Sequence, residues 1–530
     1  MTKNICSRIP LLVILFLVGC TNGFEDKNQD PYAIKKIDPG LLFTGAERGM
    51  NGANSPNLVT VGNWDGEQTI VQQYMNAYNS GATAGFQFNL DIDGYNTPRW
   101  GVYTTVVKPL VQIISVTKDD PTKANLYNMT RIWKAYAFMT LVDTYGDVPY
   151  FEAGLGFINR DEPRYNYPKY DKMADIYADL YNELKTATAA LSTSNEYVTG
   201  DLFFGGAVSS PSVAAQVAHW KKVGYSLMLR LGMRYSKVDP TKAASIAQEA
   251  FAGGVIISNS DNVFTNLYST SVPNPFSNLQ QTISTYFYYL AEPFINQLKS
   301  TADPRLKYMG ASYLLPQDFK GTRDTTTANQ FGFPVGYDNS SVTSYPGYRG
   351  TKGSGQNYTQ LNYQVVASPV APAIFITNSQ CQLLLAEATF RGWISGGLTA
   401  QQYYEAGVKA AMDEWNYFPG VFTPAVTISE KNNYLLRPGV AYNSTDALQL
   451  INTQYWIASF INGPEGFANW RRSGFPALQP NMYNNNLNGG FVKRMAYPNA
   501  EASQNGDNYN AAVASMGGDG LTQRVFWDIP

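Results

Sequence analysis

Two stretches of this chain that lack helical periodicity combine aromatic rings with Asn, Asp and Arg, chemistry that suits a ligand carrying many hydroxyls, such as a sugar. A sugar ring offers an apolar C–H face, which stacks on an aromatic ring, and hydroxyls, which take Asn, Asp, Gln or Arg partners. One stretch is 81–100, with Tyr95, Asn96, Arg99 and Trp100; the other is 331–349, with Phe333, Tyr337, Asp338, Tyr345, Tyr348 and Arg349. Tyr95, Tyr345 and Tyr348 are expected as stacking platforms, with Asn96, Asp338 and Arg349 as hydroxyl partners. Trp100 is expected to begin the next helix and pack inward.

Other chemistries find little support. His219 is the sole histidine, which excludes His-rich zinc sites and argues against Ser–His or Cys–His relays. Asp91-Ile92-Asp93-Gly94 is similar to the start of a calcium loop, yet the spaced ligands and closing Glu are missing. The 41 acids offer many chance pairs, and no pair stands out for glycoside cleavage. No Gly-rich phosphate loop follows a strand. We therefore expect no enzyme, no catalytic residue, no cofactor and no metal. Charged residues make up 15% of the chain, against about 25% in an average domain. Their near balance argues against a nucleic-acid partner.

Lys3 and Arg8 precede an apolar run, Ile9–Val18, followed by Gly19 and Cys20. This is the layout of a secretory signal, and the run is shorter than the ~20 residues that cross a bilayer. Cysteine directly after Val18-Gly19 resembles a bacterial lipoprotein signal. The resemblance implies cleavage after residue 19, lipidation of the Cys20 thiol and a polar tether over 20–35. With Cys6 removed and Cys20 acylated, Cys381 is the last thiol, and its apolar surroundings predict a buried hydrophobe.

Helical periodicity dominates the elements that must position the two stretches. Met173, Tyr177, Leu180, Leu184, Ala187 and Leu191 step by three and four, one face of a helix. Similar stripes run through Leu126–Val142, Trp220–Arg234, Tyr404–Trp415 and Ile451–Ile461. Gln380–Trp393 and Thr399–Trp415 form a hairpin near the ~34-residue tetratricopeptide period. Asn125–Tyr145 and Tyr170–Leu191 make a second pair, split by the insert 146–169. Gly146 is placed to end its helix in the left-handed region, with Pro149 blocking continuation. Pro464 with Glu465 reads as a helix start. Arg230 and Arg234, one turn apart, are expected to pair with buried carboxylates, while Trp470 fixes its helix and Arg471-Arg472 brace loops. Residues 255–375 lose the helical pattern apart from about 284–300, and the tail 485–530 reads as irregular.

In this order, several motifs resemble the SusD/RagB-like outer-membrane lipoproteins of Bacteroidetes, in their divergent second branch. They are Arg131-Ile132-Trp133-Lys134, Asp143-Thr144-Tyr145-Gly146-Asp147-Val148-Pro149, Asp201-Leu202-Phe203-Phe204, Asp303-Pro304-Arg305-Leu306, Pro464-Glu465-Gly466 through Trp470-Arg471-Arg472, Arg494-Met495-Ala496-Tyr497-Pro498 and Arg524-Val525-Phe526-Trp527-Asp528.

The resemblance implies a mainly α fold: four tetratricopeptide-like hairpins in a right-handed array, with long aromatic-rich loop insertions. It implies a single domain over 36–530, with scaffold at about 64–252 and 380–475, a ligand-binding insertion at about 255–375 and a C-terminal segment, 476–530. The implied function is non-catalytic capture of oligosaccharides at the cell surface. The implied partner is a SusC-like TonB-dependent transporter, beside which the lipid holds the protein on the outer membrane, facing the exterior. Two alternatives are a RagB-like peptide binder of the same fold and a protein-interaction scaffold on the helical hairpins.

Overall fold

The computed structural model describes residues 37–52, 58–78, 89–205, 212–265, 273–277 and 287–530. The signal 1–19, Cys20 and the tether 20–35 lie outside these. Helix α1 (Pro39–Gly49) is followed by a π-helical segment, Leu58–Gln68, then α2 (Asp93–Trp100) and α3 (Lys108–Thr117). The helical array follows as α4 (Ala124–Tyr145), α5 (Met173–Ala190), α6 (Val213–Arg234) and α7 (Pro240–Gly253). After α8 (Glu292–Ser300) it resumes with α9 (Asn378–Phe390), α10 (Ala400–Asp413), α11 (Ile428–Leu435), α12 (Ala447–Ala458) and α13 (Gly463–Ser473). Helices α14 (Asn499–Gln504) and α15 (Gly506–Met516) close the chain. They occupy part of the tail expected to be irregular; only Ala512 of the two is buried, so no apolar stripe announces them.

Four hairpins pack in series: α4 with α5, α6 with α7, α9 with α10, and α12 with α13. Contacts of α5 with α6, α6 with α9 and α9 with α12 join them into one stack. Local sequence explains where the helices start. The Ser212 and Asp239 side chains accept the Ala215 and Lys242 N–H groups, and Thr399 with Gln402 forms a capping box. Gly146 ends α4 with φ +83°, but ψ −124° lies outside the left-handed helical region expected for it. Only glycine tolerates that conformation. Its carbonyl side leads into a two-residue strand, Val148–Pro149, paired antiparallel with Tyr170–Asp171.

The array is held by a buried ionic network. Arg234 donates to Glu465 at 2.8 Å and lies 3.2 Å from Asp143, and Arg230 lies 3.3 Å from Glu465. Both arginines pair as the sequence indicates. Arg471 braces a loop by donating to the Lys493 carbonyl at 2.6 Å. Arg472 does not: its guanidinium grips Glu387 at 2.8 and 2.7 Å, joining α13 to α9. Burial pushes Glu387 up, but the Arg472 guanidinium outweighs it and holds the carboxyl at about 2. Cys381 is buried on α9, and burial raises its thiol to about 11, as suits a hydrophobe.

Motifs from the other segments are tie points of the same kind. Asp201 accepts from Trp220 Nε1 at 2.8 Å and Gln216 Nε2 at 2.9 Å. Arg305 pairs with Asp303 at 2.6 Å, and Arg494 with Asp519 at 2.7 Å.

Candidate functional site

The aromatic loop 331–358 rests on a small core of its own. Met75, Ala77, Tyr289, Ala291, Phe333, Val342 and Tyr358 form a buried cluster distinct from the main core. Its backbone frame explains why so irregular a sequence is ordered. Strand Tyr74–Asn76 pairs antiparallel with Tyr288–Leu290. Phe333 N donates to Leu290 O at 2.8 Å, Glu292 N to Phe333 O at 2.8 Å, and Asn339 N to Ala77 O at 2.8 Å. Main-chain groups that would otherwise be buried unpaired are thus satisfied.

Half-buried rings sit on this base: Phe331, Tyr337, Tyr345 and Tyr348 pack against the cluster. The Tyr345 hydroxyl donates to Glu292 Oε1 at 2.7 Å, which raises its pKa to about 12, with burial adding to the shift. The Tyr348 hydroxyl donates to Gln356 Oε1 at 2.9 Å. Both phenols are therefore fixed at the rim while part of each ring stays exposed. The Arg349 guanidinium lies 3.4 Å from the Phe331 ring centroid, and Lys299 Nζ lies 3.9 Å from it. Arg349 is exposed, and among the described residues its guanidinium meets no carboxylate. Its N–H edge remains available to hydroxyls.

The other three expected ligand residues occupy different environments. Asp338 is buried: one carboxylate oxygen accepts from Ser340 N, Ser341 N and Ser341 Oγ, and the other from Tyr483 OH at 2.6 Å. It holds the entry to the 3₁₀ turn Ser341–Ser344, and both of its oxygens are engaged by the fold. Tyr95 is 6% exposed and Asn96 2% exposed. Residues 93–100 form helix α2 rather than an open loop, so the Tyr95 ring is covered rather than offered as a platform. Asn96 Nδ2 donates to Asp91 Oδ1 at 2.6 Å. Trp100 ends α2 instead of beginning the next helix, and its indole donates to Glu501 at 3.1 Å. Residues 81–88 of that stretch lie outside the described residues. Asp93, in the calcium-like motif, accepts the Asn499 N–H at 2.6 Å.

Tyr483, outside both predicted stretches, joins the C-terminal segment to Asp338. Asn89 Nδ2 donates to the carbonyls of Asn481 and Tyr483 at 3.0 and 2.8 Å. The uncharged polar run Asn481-Met482-Tyr483-Asn484-Asn485-Asn486 is the signal that could have drawn attention to it.

Among the described residues, cavities in the helical body measure about 40, 30 and 10 Å³. Such volumes admit waters, not a sugar ring.

A carboxyl group beside the strand Tyr74–Asn76 sets a pH dependence. Asp65 is buried in the π-helical segment and accepts from Asn76 Nδ2 at 3.2 Å; burial pushes it up to about 8. The folded chain keeps a proton that the unfolded chain, with a carboxyl near 3.8, has released. Its stabilising contribution is full below that unfolded value and is lost as pH rises towards and through about 8. Asp65→Asn should flatten the stability profile between pH 5 and 9 and raise the melting temperature at pH 8, measured by thermal unfolding across that range. An unchanged slope would place the carboxyl in an ordinary ionised state.

The family model "SusD-like_2: Starch-binding associating with outer membrane" matches residues 31–498. The chain belongs to this SusD-like family. Its members are non-catalytic binding proteins, and carbohydrate binding and outer-membrane association are the family's attributes. No curated protein matches the chain. Among solved structures, a chitin-binding protein is 28% identical, covering 93% of this SusD-like chain and 100% of its own, with a TM-score of 0.76. A SusD-like protein of Bacteroidetes AC2a is 25% identical over 93% of this chain and 100% of its own, with TM-score 0.76. A chitin-binding SusD homologue from Flavobacterium johnsoniae, 21% identical over 93% and 98%, has TM-score 0.71 and shows the fold alone. The tetratricopeptide-like hairpins with aromatic-rich insertions are thus the SusD fold.

Proposed function

We propose that this SusD-like protein captures oligosaccharides on the 331–349 surface and delivers them to a SusC-like TonB-dependent transporter, held at the outer membrane by lipid on Cys20. The observation that carries the reading is the set of half-exposed rings, Tyr337, Tyr345 and Tyr348, on a core separate from the helical body. The phenols of Tyr345 and Tyr348 are tied down, which lowers the entropy lost when a ligand is bound. Arg349 beside them supplies donors without a strong local acid. Tyr345, Tyr348 and Arg349 are the ligand contacts of this reading; Tyr95, Asn96 and Asp338 support the frame.

Oligomers of β-1,4-linked N-acetylglucosamine are the preferred ligand class. The resemblance to a chitin-binding protein at 28% identity over the whole body supports that choice. The tyrosine rings beside the Arg349 donors suit a hydroxyl-rich chain. Screening the 21–530 fragment against a glycan array beside a peptide library tests the reading. Retention of chito-oligosaccharides is the expected result, and retention of peptides alone would overturn it.

A further inference from the structure

The loop 481–490 lies beside the 331–349 surface and exposes chemistry that the fold does not use. Asn485 organises it from within. Its Nδ2 donates to the carbonyls of Asn481 and Gly490 at 2.6 and 3.1 Å, and its Oδ1 accepts from Leu487 N and Gly489 N at 2.8 and 3.2 Å. Leu487 is buried and pins the loop to the body. The bond from Tyr483 to Asp338 places the loop against the turn that leads into Tyr345.

Around this fixed centre, Asn486 and Asn488 are exposed, and among the described residues their carboxamides hold no hydrogen bond. Met482, in the same loop, is 64% exposed. Backbone conformation accounts for part of this composition, since Asn484 and Asn488 have positive φ, at 44° and 54°, where asparagine is favoured. It does not account for Asn486, which lacks positive φ, or for an exposed methionine. A free carboxamide is both donor and acceptor, which matches a hydroxyl or an acetamido group. A thioether side chain adapts to an apolar methyl or ring face.

We propose that the 481–490 loop is a second wall of the binding site, with Asn486 and Asn488 bonding hydroxyl or acetamido groups and Met482 covering an apolar face. This rests on the oligosaccharide reading above, and it extends the site from the central insertion to the C-terminal segment. The test uses the full chain in detergent, titrated calorimetrically with chitohexaose. The variant Met482→Ala/Asn486→Ala/Asn488→Gly removes the three side chains and keeps a residue that tolerates positive φ at 488. Loss of a few hydrogen bonds and one apolar contact is expected to weaken binding roughly tenfold or more. Binding by the parent with equal binding by the variant overturns the second wall and leaves the first intact. No binding by the parent overturns the oligosaccharide reading itself. Oxidative footprinting of the unmodified chain is independent of the variant's folding. Chitohexaose should protect Met482 from oxidation, and unchanged oxidation under saturating ligand contradicts the proposal.

Discussion

Glu465→Ala is expected to destabilise the protein by about 3–5 kcal/mol, because it strips the shared counter-ion from buried guanidinium groups. Glu465 accepts from Arg234 at 2.8 Å and from the Tyr455 hydroxyl at 2.7 Å, and Arg230 lies 3.3 Å away. Arg230 and Arg234 project from α6, Tyr455 from α12 and Glu465 from α13, so the carboxylate joins the second hairpin to the fourth. Burial alone would raise its pKa, but Arg230 and Arg234 outweigh that and hold it below the usual carboxylate range. A depressed folded value contributes stability that is present above the unfolded value and lost as pH falls through the folded one. Denaturant unfolding of the variant should show a lower midpoint. Glu162→Ala, which breaks the exposed pair with Arg164, should leave the midpoint nearly unchanged. Equal effects of the two substitutions would contradict the role assigned to the network.

Cys20→Ala should move the protein from the membrane to the soluble fraction while leaving fold and ligand binding intact. Among the described residues no helix is long and apolar enough to cross a membrane. In the proposed lipid-anchored form, retention rests on acyl chains, which gain about 0.8 kcal/mol per buried CH₂, so that more than one chain makes a stable anchor. Cell fractionation with immunoblotting reads the outcome. A variant that stays with the outer membrane would show that something other than lipid holds it, and a soluble variant without ligand binding would show that the tether belongs to the receptor surface.

The helical array was largely legible because its stripes are long and regular: Met173 through Ala187 fall on the buried face of α5 as their spacing requires. Helix α7 is signalled chiefly by Asp239-Pro240, a cap followed by an N-terminal proline. In the site, the 331–349 stretch was recognised by composition, but composition does not separate a ring that faces solvent from one that is covered. Tyr95 is covered because 93–100 coils into a helix whose Asn96 carbonyl receives the Tyr145 hydroxyl, a contact made by a residue 49 positions away. Asp338 was closer to legible. Asp338-Asn339-Ser340-Ser341 is a capping sequence, and a carboxylate spent on backbone N–H groups is the ordinary use of such a residue. Tyr483 reaches Asp338 across 145 positions, and no local pattern could announce that.

The most direct measurement of the central claim is calorimetric titration of chitohexaose into the parent protein and Tyr345→Ala/Tyr348→Ala, with Tyr345→Phe as control. The phenylalanine variant keeps the ring and loses only the bond to Glu292. The account predicts binding by the parent, near-parental binding by Tyr345→Phe, and at least tenfold weaker binding by the double variant with its helical circular dichroism retained. Undiminished affinity in the double variant would contradict it.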